Sequence, residues 1–193
     1  MKLARVNTAL LLAIIVINVF VICLPLLPAV GFWVQKRNPA AVERLRDKVE
    51  APVTANNTPS GNRLIIPSAL FDQPVYEGKD TRTLNKGAWH RPETGTPESA
   101  GNTVITGHRY TYTNPAGTFY HLDKIKRGDE IGLWWNGKKY RYTVVRISVV
   151  PPEATEIEKP TKTPQLTLYT CTPLWLPRDR LVVVAELKED QAL

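Results

Sequence analysis

The sequence predicts an all-β domain, a barrel or sandwich, preceded by one N-terminal transmembrane helix. Three observations predict this. No charged residue occurs from Val6 to Gln35. From Arg63 onward the apolar runs are short and rich in β-branched and aromatic residues, with no helical pattern between them long enough for βαβ units. Asn136-Gly137 sits between two strongly β-prone runs, EIGLWW and KKYRYTVVRISVV, and is the strongest hairpin signal in the chain.

Taken in order, residues 1–7 form a short tail expected to stay in the cytoplasm. Residues 8–34, TALLLAIIVINVFVICLPLLPAVGFWV, are nearly all apolar. At about 1.5 Å per residue this run crosses a hydrocarbon core of roughly 30 Å. It is longer than the h-region of a cleaved signal peptide and no A-x-A site follows it, so a retained anchor is expected. Cys23 lies within the run, where it packs against lipid or another helix, and Pro25 and Pro28 are placed to kink its outer end. Lys2 and Arg5 precede the run, and Lys36, Arg37, Arg44, Arg46 and Lys48 follow it, so the positive-inside rule does not choose an orientation. The short leading tail favours a single-pass protein with its large domain outside the cell.

Residues 35–62 join anchor to domain. NPAAVERLRDKVEA (Asn38 to Ala51) carries Val42, Leu45 and Val49 at helical spacing, and PVTANNTPSGN (Pro52 to Asn62) has linker composition. Residues 63–188 make the β domain, a single core of ordinary size, and 189–193 are a C-terminal tail. Net charge is +7, and with Lys2 and Arg5 before the anchor the remainder carries +5. No run of Lys or Arg exceeds two residues, and there is neither zinc-ligand spacing nor a basic helix, so nucleic acid is not a partner.

The chemistry sits at strand ends. Of two cysteines, one is in the anchor, and a disulfide between Cys23 and Cys171 is out of reach. Cys171 is therefore a free thiol outside the cell, closing the run QLTLYTC. A buried, inert cysteine is the ordinary reading of a lone thiol. NTVITGHR changes it by delivering His108 at another strand end, after a glycine expected to turn the backbone tightly. Arg180 stands at the mouth of LVVVAEL. A thiolate attacks a carbonyl, an imidazole moves the proton, and a guanidinium steadies the oxyanion or the bound peptide, so the set suits acyl transfer. Arg178 competes with Arg180 because the two share strand parity. His90 reads as a strand-end residue packed beside Trp89, and His121 as a surface residue in a turn-rich segment.

TLYTC, ITGHR and an arginine entering the last apolar strand resemble the sortases, membrane-anchored cysteine transpeptidases of bacterial surfaces. The similarity runs from RLIIPSALFDQPVYEG through LNKGAWH and GTFYHLDKIKRGDEI to DRLVVVAEL, with 63 residues from His108 to Cys171. The resemblance implies a sortase-type eight-stranded β-barrel with short helices. It implies Cys171 as nucleophile, His108 as general acid/base, Arg180 as the group that binds substrate and oxyanion, and Thr170 as a substrate or oxyanion contact. It further implies cleavage of an LPXTG-like sorting signal between Thr and Gly through a thioacyl enzyme. The partners would be surface proteins or pilins bearing that signal, and the acceptor a peptidoglycan precursor or a pilin lysine.

Within the family, TCTP after the nucleophile is closest to classes C, D and E. The Asp-Pro-aromatic lid motif of pilus-building members is absent from residues 35–62. Class A members bind calcium through loop carboxylates; here Glu93, Glu98, Glu153, Glu156 and Glu158 read as solvated loop acids, and no cofactor is expected. Two other readings stay open. An L,D-transpeptidase would need a Ser-x-Gly-Cys signature where Tyr169 and Thr170 stand, and a non-catalytic tethered barrel would bury Cys171.

Overall fold

The computed structural model describes residues 2–55, 57–99 and 101–188, with side chains from Val6 onward; the expected tail 189–193 lies outside the described residues. Eight strands close a barrel in the order β1-β2-β3-β4-β7-β8-β6-β5. They are β1 (Arg63–Ile66), β2 (Phe71–Tyr76), β3 (Ala88–His90), β4 (Asn102–Thr106), β5 (Glu130–Trp135), β6 (Lys138–Val150), β7 (Gln165–Thr172) and β8 (Asp179–Leu187). Closure leaves no unpaired edge.

The expected hairpin joins β5 to β6. Asn136 and Gly137 both adopt positive φ (50° and 79°), as a two-residue turn matched to strand twist requires. The pairs β2/β3 and β4/β7 are parallel. No α-helix makes the first of these crossovers; a 3₁₀ turn, Thr81–Lys86, does. β3 is only three residues, too few to show alternation, and was marked in the sequence only by the strand-end reading of His90.

Period-two alternation sorts the strands onto two faces. Leu166, Leu168, Leu181, Val183 and Ile105 point into the barrel, where they join Phe71, Phe119, Ile131, Leu133 and Tyr142. Their neighbours Val104, Tyr169, Val182 and Val184 form a second cluster on the outer face, packed by Ile157 from the β6–β7 connection. That outer face of β4, β7 and β8 carries the site.

Three α-helices precede the barrel: α1 (Lys2–Cys23), α2 (Leu27–Lys36) and α3 (Pro39–Glu50). α3 begins with Asn38 accepting from the Ala40 N–H (3.2 Å) and Pro39 in the first turn. Its apolar face, Leu45 and Val49, packs on Ile65 and Trp134. Gly132 of β5 permits this, since a Cβ there would lie 3.0 Å from a Val49 methyl. The Lys139 ammonium meets the Ala51 carbonyl at the C-terminal end of α3.

Among the described residues one helical stretch, Val6–Lys36, is long and apolar enough to cross a membrane. It is not one continuous helix. Pro25 lies in a 3₁₀ turn, Leu24–Leu26, that separates α1 from α2. The described side chains of α1 are exposed along its length, whereas the next segment docks on the barrel. Pro25 is buried, Phe32 is 3% exposed, and the Tyr120 hydroxyl donates to the Pro25 carbonyl (2.7 Å). The expected span 8–34 is thus divided. Its first part, residues 8–23, belongs to α1, whose 22 residues extend about 33 Å, and its last third packs against protein.

This docking also corrects the surface reading of His121. The ring stacks on Phe32 (centroids 4.1 Å apart) and its Nε2–H donates to the Pro28 carbonyl (3.2 Å).

Candidate active site

β7 and β8 are antiparallel, and their register sets Cys171 directly opposite Arg180. Directly paired residues project to the same face, so thiol and guanidinium share the outer surface. Cys171 is exposed. Arg178 lies before β8 in the β7–β8 loop, exposed, with its backbone N–H on the Thr172 carbonyl (3.1 Å). Shared parity did not separate the two arginines; the cross-strand register does.

β4 runs parallel to β7 with Thr106 beside Tyr169, which carries His108 to the same end of the sheet as Cys171. Three hydrogen bonds hold the two strand ends together. The Thr106 hydroxyl donates to the Tyr169 carbonyl (3.1 Å), the Gly107 N–H reaches the same carbonyl (3.4 Å), and the Thr170 hydroxyl donates to the Gly107 carbonyl (2.8 Å). Gly107 sits where space is tight: its φ is not left-handed, and a Cβ would lie 3.2 Å from the Phe119 ring. The Phe119 N–H in turn donates to the His108 carbonyl (2.9 Å).

Thr170 departs from its expected role. Its side chain is 1% exposed and faces inward, opposite to Cys171, with the hydroxyl spent on Gly107. It fastens the histidine strand to the cysteine strand and does not present its hydroxyl to a ligand.

A cleft of about 280 Å³ opens at this end, with His108 and Cys171 both in its wall. Leu174, Trp175 and Pro177 of the β7–β8 loop form one side, Arg109, Tyr110 and Tyr112 another. Pro25, from the turn between α1 and α2, completes it. Sequence reasoning looked for a cover in residues 35–62, but the chain that reaches the cleft comes from upstream. Arg109 is held by Asp123 (2.8 Å), whose carboxyl stays below its ordinary range: burial opposes the charge, but Lys124 and Arg109 outweigh it.

His90 ends β3 as expected, yet its ring packs on Trp135 (4.8 Å) and its Nε2 contacts the Gly95 carbonyl (3.0 Å). It does not line the cleft.

The loop acids are not uniformly solvated. Glu158 receives Arg91 through Nε (3.0 Å) and Nη2 (3.2 Å), and the Tyr169 hydroxyl at 2.5 Å. Burial, reinforced by this bond, pushes the Tyr169 phenol far above its ordinary range, so it stays a neutral donor. Among the described residues no three His, Cys, Asp or Glu side chains converge as a metal site. The sequence does not single out Tyr169, because its partners come from distant loops.

The fold and cleft define a class: closed eight-stranded β-barrels bearing a thiol, an imidazole and a guanidinium on the outer ends of adjacent strands. Within that class the chain belongs to the sortase family, since residues 64–188 match the sortase domain. Sortase D of Bacillus subtilis (strain 168) is 30% identical over 115 residues, covering 57% of this chain and 53% of that protein. Sortase A of Streptococcus agalactiae serotype III (strain NEM316) is 29% identical over 145 residues, covering 73% and 58%. The chain thus spans a little over half the length of these relatives. Among solved structures, a lid mutant of sortase A from Corynebacterium diphtheriae superposes with a TM-score of 0.62 at 29% identity, covering 78% of this chain and 92% of that one. Sortase A of Listeria monocytogenes superposes at 0.60 with 26% identity, covering 66% and 86%.

Proposed function

We propose that this chain is a cysteine transpeptidase that cleaves an LPXTG-like sorting signal between Thr and Gly and transfers the surface protein to an amine. The observation that carries this reading is the outer-face placement of Cys171 opposite Arg180, with His108 in the wall of the same cleft. Exposure of the thiol weighs against a purely structural cysteine.

The Cys171 sulfur attacks the threonine carbonyl carbon, and its π electrons move to oxygen. Arg180 stabilises that oxyanion from the neighbouring strand. Collapse re-forms the carbonyl and breaks the C–N bond; His108 protonates the departing glycine amine. A thioester remains. An acceptor amine then attacks it, gives its surplus proton to His108, and releases the thiolate. A peptidoglycan precursor or a pilin lysine would serve as acceptor. α1 serves as a single-pass membrane anchor, with the barrel on the outer side.

The test is the intact mass of the full chain in detergent after mixing with a panel of LPXTG-like peptides, with Cys171→Ala beside it. An adduct of the peptide's N-terminal fragment, present only with Cys171, supports the reading and reports the preferred motif. No adduct with any peptide, together with a folded-state thiol that resists alkylation, sinks it in favour of a binding barrel.

A further inference from the structure

An arginine that meets a transient oxyanion must satisfy two opposed demands. Its long side chain carries considerable rotamer entropy and has to be held still. The usual way to hold it, a carboxylate, would occupy its donors and neutralise its charge. Arg180 escapes this conflict. Among the described residues no carboxylate pairs with it, and its guanidinium carbon instead lies 5.3 Å from the centroid of the Tyr169 ring. A π face attracts a cation without accepting its hydrogen bonds, so the N–H groups stay available to a ligand.

The ring is itself held. Tyr169 is 9% exposed, and its hydroxyl donates to Glu158. Glu158 is gripped by both arms of Arg91, which lies over the Trp89 ring at 4.6 Å. Burial works against the Arg91 charge, but the Glu158 hydrogen bonds leave its pKa raised. The segment bearing Glu158 is also fastened from below, because the Asn102 side-chain amide donates to the Ile157 (2.9 Å) and Lys159 (3.1 Å) carbonyls. A phenol that donates to a carboxylate also gains electron density in its ring, which strengthens the face it offers to a cation.

We infer that Tyr169 is a positioning residue for Arg180, and that Glu158 and Arg91 act through it by fixing the ring. The inference rests on the proposed role of Arg180. Each alternative at 169 lacks something: leucine offers no π face, and phenylalanine offers the face without the anchor to Glu158.

Two measurements on the full chain in detergent test it. The first needs no substrate: NMR of the arginine Nε–H groups, with the Arg180 signal assigned by its loss in Arg180→Lys. The expected signal is shifted upfield by the ring and ordered in the wild type, and it becomes averaged and unshifted in Tyr169→Leu. The second is a double-mutant cycle on kcat/KM. Arg180→Ala is expected to lose about 10²–10³-fold, the scale of a lost oxyanion donor. Tyr169→Leu should lose about tenfold, mainly in kcat, and the pair no more than Arg180→Ala alone, as coupled residues do. Tyr169→Phe and Glu158→Gln should each fall between wild type and Tyr169→Leu, and they replace it if leucine prevents folding.

Losses that multiply, or an Arg180 signal unchanged by Tyr169→Leu, overturn the positioning role while leaving Arg180's own role standing. An Arg180→Ala enzyme near wild type overturns both, and the Cys171 adduct then still reports whether the sortase-type chemistry survives.

Discussion

At the scale of single residues, chemistry and support are carried by different side chains. Cys171→Ala should abolish transpeptidation and hydrolysis together, and Cys171→Ser should keep little of either, because a hydroxyl is much harder to ionise than a thiol. Steady-state assays with the preferred peptide check both, and turnover near wild type in either variant contradicts thioacyl chemistry. Arg178→Ala should lose far less kcat/KM than Arg180→Ala, since Arg178 lies in the loop and not opposite the thiol. Equal losses would mean that register does not decide between them. Gly107→Ala should destabilise the protein by about 1–3 kcal/mol, the range for overpacking, because the added methyl would meet Phe119 at 3.2 Å. Urea denaturation reads it directly. The placement of Cys171, His108 and Arg180 at strand ends was legible in the sequence because each closes or opens an alternating apolar run. Thr170 was misread for a related reason. Adjacency in sequence to a nucleophile means the opposite face of a strand, and only the packed sheet shows what the hydroxyl meets.

Among the elements, those whose signal is local match expectation, and those whose ends depend on tertiary partners do not. α3 was visible from the spacing of Val42, Leu45 and Val49, and the β5–β6 turn from Asn136-Gly137. The break in the apolar run was visible as prolines, but its consequence was not. Hydropathy reads a lipid-facing helix and a protein-facing helix alike, so nothing in the composition of residues 24–36 says that they dock on the barrel. Phe32 is the anchor of that docking. Phe32→Ala would cost about 3–5 kcal/mol if α2 were forced to stay in place. A terminal helix is free to leave, however, so the expected result is local. Proteolysis and amide exchange across residues 24–36 should rise sharply, while the barrel's Tm falls by only a few degrees. A Tm loss as large as that of a core truncation would show that α2 and the barrel unfold as one unit.

For the whole molecule, the α2 interface also carries a titratable group. Burial holds the His121 imidazole at about 4, despite its bond to the Pro28 carbonyl and the nearby Asp123, both of which favour the charge; Arg109 and Lys124 disfavour it. Its Nδ1 is buried without a partner, so protonation would add an unmet donor. The undocked ring titrates near 6.5, so below that value the open state takes up a proton that the docked state refuses. The docked arrangement should therefore weaken progressively as pH falls from about 6.5 to about 4, and remain unaffected by this group at higher pH. Amide exchange of α2 across that range checks it, with His121→Phe expected to flatten the dependence. Pro25 has a consequence of a different kind. It stands two residues beyond the end of α1, and two residues of extended chain reach no more than about 7 Å. With α1 embedded as proposed, the cleft that Pro25 helps to wall is held at one altitude, level with the lipid headgroups. Encounter with any substrate rooted in the same bilayer would then be a search in a plane, by lateral diffusion toward a thiol held at fixed height.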